Sequence, residues 1–208
     1  MIQNALIYGY STSLFQSVAA RLEELGWNVA RMPLTAQFAG STDELPTNIA
    51  TPDMVVFFTD PDIGCGKDRI GDGLDYVRIA DIYSRNTLSF LRVVESLHKP
   101  MLGSPLKRIC LVSGSAGSIN QSRSTGGYGL SMSLAALNNL VQMLANLMRP
   151  EGFTFRLLCA DGAEDIPYAG NLAIAYMLRD RSHDPHSGDR RDENRLVPRD
   201  LYGRELPF

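Results

Sequence analysis

The sequence predicts an α/β protein: a Rossmann-like, doubly wound parallel sheet in three α/β/α layers. Three observations carry this. Four short runs, at 5–8, 54–58, 108–112 and 154–159, are largely apolar, as strands covered on both faces are. Segments with apolar residues at helical spacing separate them. The connections are long enough for the crossovers that parallel pairing needs. A length of 208 residues suits one domain, 1–208, with a full core.

The first element is the run Ala5-Leu6-Ile7-Tyr8, bounded by Gly9. Ser11, Thr12 or Ser13 can cap the helix that follows. Leu14, Val18, Leu22 and Leu25 mark its apolar face, and Gly26 is a natural stop. A second strand at 27–30 ends near Arg31, which completes the opening of a parallel βαβ unit. The pattern is weak from 33 to 52 and strong again at 54–58. After an Asp- and Gly-rich loop at 60–72, helical periodicity returns with Tyr76, Ile79 and Tyr83, then Leu88, Leu91 and Val94, and Pro100 ends it. A strand at 108–112 leads into a Gly/Ser-rich loop at 113–127.

The helix expected at 129–148 is apolar on nearly all sides. Such a helix buries more than one face. One face covers the sheet; the other needs a second helix, from this chain or from a partner. A strand at 154–159 and a helix at 169–178 follow. The charged stretch at about 179–195 reads as a surface loop. In this architecture ligands bind outside the carboxyl ends of the strands. The segments 8–14, 58–64 and 113–128 are therefore where a site is expected.

Composition narrows the function classes. A net charge of −3 gives no basic field for nucleic acid or an anionic membrane. No apolar run reaches the roughly 20 residues of a membrane span, and the first eight residues carry no secretory pattern. The expected location is the cytoplasm. Cys65, Cys110 and Cys159 have no metal-ligand spacing. Cys110 and Cys159 read as small buried hydrophobes, and Cys65 as a loop thiol. His183 and His186 lie in the charged loop without further ligands, and Asp60, Asp62, Asp68 and Asp72 do not follow a Ca²⁺-loop pattern. No metal is expected.

Several pieces together resemble the short-chain dehydrogenase/reductase family. The stretch 5–30 is similar to its first βαβ unit. Asn86 with the following helix, Ile109-Cys110-Leu111-Val112-Ser113-Gly114-Ser115-Ala116-Gly117, Tyr128-Gly129-Leu130-Ser131, Ala135-Ala136-Leu137-Asn138, Arg149-Pro150-Glu151-Gly152 and the tail 202–208 follow in the family's order. The resemblance implies a nicotinamide dinucleotide site at Gly9, Ser11, Thr12, Ser13 and Leu14, with Arg31 facing a 2′-phosphate. It implies catalytic roles for Tyr128, Ser115 and Asn86, the last by holding a water.

The functional motifs depart from the family's. Its cofactor loop has three glycines. Gly9 holds the first place, while Ser13 and Phe15 stand at the other two and are expected to crowd a dinucleotide. The family's Asn-Asn-Ala-Gly segment is replaced by Phe57-Phe58-Thr59-Asp60. A shortened adenine-side strand and helix has to fit between Arg31 and Asp53. The family's catalytic Tyr is followed by a Lys four residues on, which lowers the Tyr pKa. Four residues after Tyr128 stands Met132; aligning on Ala-Ala-Leu-Asn puts Leu134 at the Lys place, and no lysine follows Lys107. Motif alignment also sets Gly114 rather than Ser115 at the serine place.

Three functions stay open at this point. The first is a repurposed member that binds or transforms a small organic molecule without a nicotinamide cofactor, with Tyr128 or an Asp as acid or base and Tyr8 and Tyr10 as aromatic walls. The second is a non-catalytic subunit that pairs with itself, as a homodimer or higher oligomer, or with a homologue, through the helix at 129–148. The third is an NAD(P)H-dependent oxidoreductase with altered acid chemistry.

Overall fold

A change of winding direction fixes where this molecule can bind anything. The structure, a computed structural model, describes residues 2–34, 46, 48–60, 70–71, 73–179 and 195–208. The expectations for Cys65, His183, His186, Asp62, Asp68, Asp72, the adenine-side strand and helix, and nearly all of the charged loop lie outside the described residues. The chain runs β1 (Asn4–Gly9), α1 (Ser13–Glu24), β2 (Asn28–Pro33), β3 (Met54–Phe58), α2 (Tyr76–Tyr83), a π-helical stretch (Ser84–Leu88) and α3 (Ser89–Met101). It continues through β4 (Arg108–Ser113), α4 (Tyr128–Met148), β5 (Thr154–Cys159), α5 (Ile166–Met177) and β6 (Pro198–Asp200). The strands pair in parallel in the order β2-β1-β3-β4-β5-β6. From β1 the chain first steps to β2 and then returns to the other side of β1, so winding reverses between β1 and β3. That crevice is where ligands bind in open parallel sheets.

Side chains alternate across the sheet with the two-residue period of a strand. Leu6, Tyr8, Val55, Phe57, Ile109, Leu111, Phe155 and Leu157 pack under Phe90, Val94, Leu97, Leu137, Val141 and Met148 of α3 and α4. Ala5, Ile7, Met54, Val56, Phe58, Cys110, Val112 and Leu158 face Leu14, Phe15, Val18, Leu22, Ala169, Ala173 and Met177 of α1 and α5. This is the three-layer α/β/α arrangement that the buried runs predict. Cys110 and Cys159 are both buried free thiols, as expected.

The amino ends of the strands are tied by buried polar groups. Asp53 accepts from the Asn4 N–H at 2.8 Å and from Ser104 Oγ at 2.6 Å. Arg108, 2% exposed, donates to the carbonyls of Met177 at 2.7 Å and Arg179 at 3.0 Å and so closes the carboxyl end of α5. Arg156, 1% exposed, donates to the Phe155 and Arg179 carbonyls beside it.

Three elements differ from the sequence reading. The helix expected to start at Tyr76 is not one α-helix: it widens into the π-helical stretch at Ser84–Leu88, which turns Asn86 and Thr87 inward. Pro100 sits within the last turn of α3, one residue before its end at Met101. β6 was not foreseen; its three residues pair with Leu157–Cys159 and depend on tertiary contact rather than on a strand pattern of their own. α4 buries Ser133, Leu134, Leu137, Val141, Ala145 and Met148 against the sheet and its neighbours. Met132, Met143 and Leu147 remain 55%, 61% and 69% exposed, so one apolar side of α4 is uncovered in the single chain.

Candidate functional site

At the carboxyl ends of β1, β3, β4 and β5 the strands open into a cleft of about 610 Å³. The turn into α1 supplies Thr12, Ser13 and Leu14. The end of β3 supplies Phe58, Thr59 and Asp60, the end of β4 Val112 to Ala116, and the loop after β5 Ala160 to Ala163. Leu130 and Leu134 of α4 and Ile166 of α5 complete the wall. The reversal between β1 and β3 thus places the site where the fold predicts it.

Gly9 ends β1 with φ +126° and lies directly against β3: a Cβ there would come within 2.2 Å of the Phe58 carbonyl oxygen. Only glycine fits that contact. Gly9 therefore shapes the turn from behind and is not itself part of the cleft lining. The Ser11 hydroxyl accepts from Gln16 Nε2 at 2.6 Å on the exposed side of the turn, also off the lining. Thr12 is the N-cap of α1, its Oγ1 accepting the Phe15 N–H at 3.1 Å. Among the cofactor-loop residues picked from sequence, Thr12, Ser13 and Leu14 reach the cleft.

Two expectations about this loop are corrected. Phe15 does not crowd the cleft. It is fully buried, and its ring meets Phe58 edge-on with centroids 5.4 Å apart, so the helix seats on β3 through a ring pair where the family pattern has a glycine. Arg31 does not face the cleft either. Its guanidinium forms a forked pair with Glu23, at 2.6 and 2.9 Å, on the outer side of α1.

The catalytic assignments change as well. Tyr128 is the first residue of α4, half-buried, and lies off the cleft lining. About half a turn of helix decides this: Leu130 and Leu134, four residues apart on one helical face, are the α4 side chains that reach the cleft. Asn86 is fully buried, accepts the Asp60 N–H on Oδ1 at 2.9 Å and donates from Nδ2 to Ser133 Oγ at 3.2 Å. It is a tie between β3 and α4, behind the wall rather than in it. Ser115 does line the cleft, beside Gly114. Tyr8 is buried in the core and Tyr10 packs against it, so neither forms an aromatic wall of the cleft.

Sequence reasoning missed Asp161. Its Oδ2 accepts a very short hydrogen bond from the Ser115 N–H across a separation of 46 residues. Its Oδ1 stands 2.7 Å from where a Cβ on Gly114 would be. The carboxylate thus fills the space of a side chain at position 114. Asp161-Gly162 follows β5 directly. The rule that sites gather at strand carboxyl ends, applied to β5 as well, would have found it.

The charged groups near the cleft are unevenly distributed. Asp60, 7% exposed, lies 3.7 Å from Arg85 Nη1, while Arg85 Nη2 pairs with Asp81 at 2.8 Å. Burial raises the Tyr10 pKa, and the nearby Arg85 partly offsets it. Burial pushes the Tyr8 phenol and the Cys159 thiol each up to about 12, with the charges of Asp161 and Asp200 adding to the latter. Neither is a nucleophile or base near neutral pH. Among the described residues no group of His, Cys, Asp and Glu has the arrangement to hold a metal ion. No helix among them is long and apolar enough to cross a membrane.

No family model matches the chain. It is 31% identical over 150 residues to C-signal of Myxococcus xanthus, a match that covers 68% of this chain and 90% of that relative. Solved structures share the fold at lower identity. The carbonyl reductase Sniffer of D. melanogaster superposes with a TM-score of 0.73 at 12% identity, and a carbonyl reductase from Pseudomonas aeruginosa PAO1 in complex with NADP with 0.71 at 15%. A protein described as a short-chain dehydrogenase/reductase from Burkholderia multivorans, with bound NADP, gives 0.68 at 18%. Each of the three is covered over 100% of both chains. Sheet order, the cleft at the winding reversal and a relative aligned over nine-tenths of its length converge on one family: the chain belongs to the short-chain dehydrogenase/reductase superfamily.

Proposed function

We propose that this protein binds a small organic molecule in the cleft and does not transfer hydride through a nicotinamide cofactor. One observation carries the reading. The two α4 side chains that face the cleft, four residues apart, are Leu130 and Leu134. Acid catalysis of carbonyl reduction in this family needs a phenol there, with an ammonium one turn along to lower its pKa. Two isobutyl groups exchange no proton. No lysine follows Lys107 to supply the cation from elsewhere in the second half of the chain.

The residues around the cleft also fit a dinucleotide poorly. NADP is bound in the Pseudomonas and Burkholderia structures named above. Here Thr12 takes up one N–H of the α1 terminus, and Arg31 is held by Glu23. The described lining carries two carboxylates, Asp60, whose charge Arg85 behind the wall partly balances at 3.7 Å, and Asp161, and no basic side chain to receive a pyrophosphate. Chemistry by the described lining is then binding, orientation and proton transfer at a carboxylate.

The test is direct. NADPH and NADH are titrated separately into the pure protein, followed by calorimetry and by cofactor fluorescence. No binding up to millimolar concentration is expected. Micromolar binding of either cofactor, with its fluorescence altered, overturns the reading.

A second property has its own observation. The exposed side of α4, with Met132, Met143 and Leu147, is an apolar surface on a long helix. We propose that it pairs with a second copy of the chain, since an isologous contact lets one such face cover another.

A further inference from the structure

We infer that the cleft is built for a ligand that carries a protonated amine on a short apolar body, and that Asp161 anchors the amine. This rests on the cofactor-independent reading above and names the ligand class for the same site.

The argument begins with the position of the carboxylate. The Ser115 N–H engages Oδ2 and fixes the plane of the group. Oδ1, the oxygen turned toward Gly114, has no hydrogen-bond partner among the described residues; Asp161 is exposed, so this oxygen is open to solvent and to a ligand in the cleft mouth. Position 114 is glycine in an ordinary extended conformation, φ −129° and ψ 161°, so backbone geometry does not demand the glycine. What the glycine allows is the present position of the carboxylate: a Cβ there would stand 2.7 Å from Oδ1, and the exposed Asp161 side chain would have to shift away. The pair Gly114 and Asp161 therefore acts as one unit: the first clears a space, and the second fills it with negative charge.

Ser113 supplies an independent sign that a polar ligand group is missing. It lines the same cleft, is 7% exposed, and its Oγ has no hydrogen-bond partner among the described residues. A buried hydroxyl left unpaired costs free energy, and native structures rarely leave one so without a use. The ends of β4 and β5 thus present to one cleft an unpaired hydroxyl, from Ser113, and an open carboxylate oxygen, from Asp161.

Charge and shape select among ligands. An ammonium has donors for the Ser113 hydroxyl and the Asp161 carboxylate and opposes the sign of the latter, whereas Asp60 is already balanced by Arg85; a carboxylate or phosphate ligand meets the Asp161 charge and finds no cation in the described lining. The remaining wall is hydrocarbon: Leu14, Phe58, Val112, Leu130, Leu134 and Ile166. An aliphatic or aromatic body attached to the amine would bury against it.

The experiment uses the full chain and three probes of equal length: n-hexylamine, n-hexanol and sodium hexanoate at neutral pH. Binding is read by two-dimensional NMR titration and calorimetry. We expect hexylamine to bind more tightly than hexanol and to move the amide signals of Ser115 and Gly162. Hexanoate should bind more weakly than either. Asp161→Asn keeps an oxygen for the Ser115 N–H and removes the charge. It should weaken hexylamine by about five- to tenfold, the range for one partly solvated charge-assisted bond, and leave hexanol unchanged. Hexylamine binding no tighter than hexanol in the unaltered protein overturns the inference and leaves the cofactor-independent reading standing, and needs no variant to fold. Equal hexylamine affinity in Asp161→Asn also overturns it, because the carboxylate is then only a cap. Micromolar NADPH binding that shifts the same amide signals overturns both.

Discussion

Replacing Asn86 with Ala separates a structural role from the catalytic one that the family resemblance implies. Asn86 has no exposed surface, and its Oδ1 takes the N–H of Asp60, itself only 7% exposed. In the Ala variant that largely buried N–H loses its partner, which costs about 1–3 kcal/mol. Ser133 loses the amide donor but keeps its own donation to the Leu130 carbonyl at 2.9 Å, so its loss is minor. The vacated amide volume adds roughly 1 kcal/mol as a cavity. The sum is about 2–4 kcal/mol. With an m-value of about 2–3 kcal/mol per M urea for a chain of this size, the midpoint falls by about 1 M. The single tryptophan, Trp27, is 9% exposed and reports unfolding by fluorescence. Asn86→Asp adds a pH signature. Its carboxyl, buried beside Asp60, would have a folded pKa above the unfolded one, so the native state holds the extra proton. Stability relative to wild type should therefore fall as pH rises and recover toward about pH 4. A loss below about 0.5 kcal/mol for Asn86→Ala would refute the tie between β3 and α4 and return Asn86 to a role in the cleft.

Three further outcomes are expected. Gly9→Ala places a Cβ 2.2 Å from a backbone oxygen at φ +126°, so it should cost more than about 3 kcal/mol or abolish soluble expression; an unchanged melting temperature contradicts the Gly9–Phe58 contact. Tyr8 and Cys110 are each pushed up to about 12 by burial. Their folded values lie above the unfolded ones, so the stability they confer is present at neutral pH and lost as pH rises from about 9 toward 12. Urea midpoints across that range should fall, and fall less in Tyr8→Phe; an identical slope removes Tyr8 from the account. On α4, Met143→Glu with Leu147→Glu should convert a dimer to a monomer in light scattering, since each residue is more than 60% exposed in the single chain; a wild-type monomer at high concentration refutes the proposed pairing.

The centre of the sheet was legible because β1, β3, β4 and β5 are buried on both faces and carry short apolar runs between turn residues. β1, β3, β4 and β5 were readable from composition alone. The site was less so, for two reasons. Which α4 residues face the cleft depends on helix phase, and the tyrosine that draws the eye, Tyr128, lies two positions away from the lining residue Leu130. Tertiary contact also decides where Phe15 goes: a ring placed at a glycine position reads as an obstruction until Phe58 is seen to receive it. Asp161 needed the fold, since its partner is 46 residues distant in sequence.

The polar ties at the amino ends of the strands have a consequence for the opposite edge. Asp53 and Arg108 anchor the strand starts and the end of α5 without touching any residue of the cleft lining. Frame and workshop are thereby separated by the full length of the sheet. Substitutions in the workshop, at Leu130, Leu134 or Asp161, are expected to leave the frame's fastenings intact. A fold so divided tolerates changes at its cleft without loosening the contacts that hold its strands together.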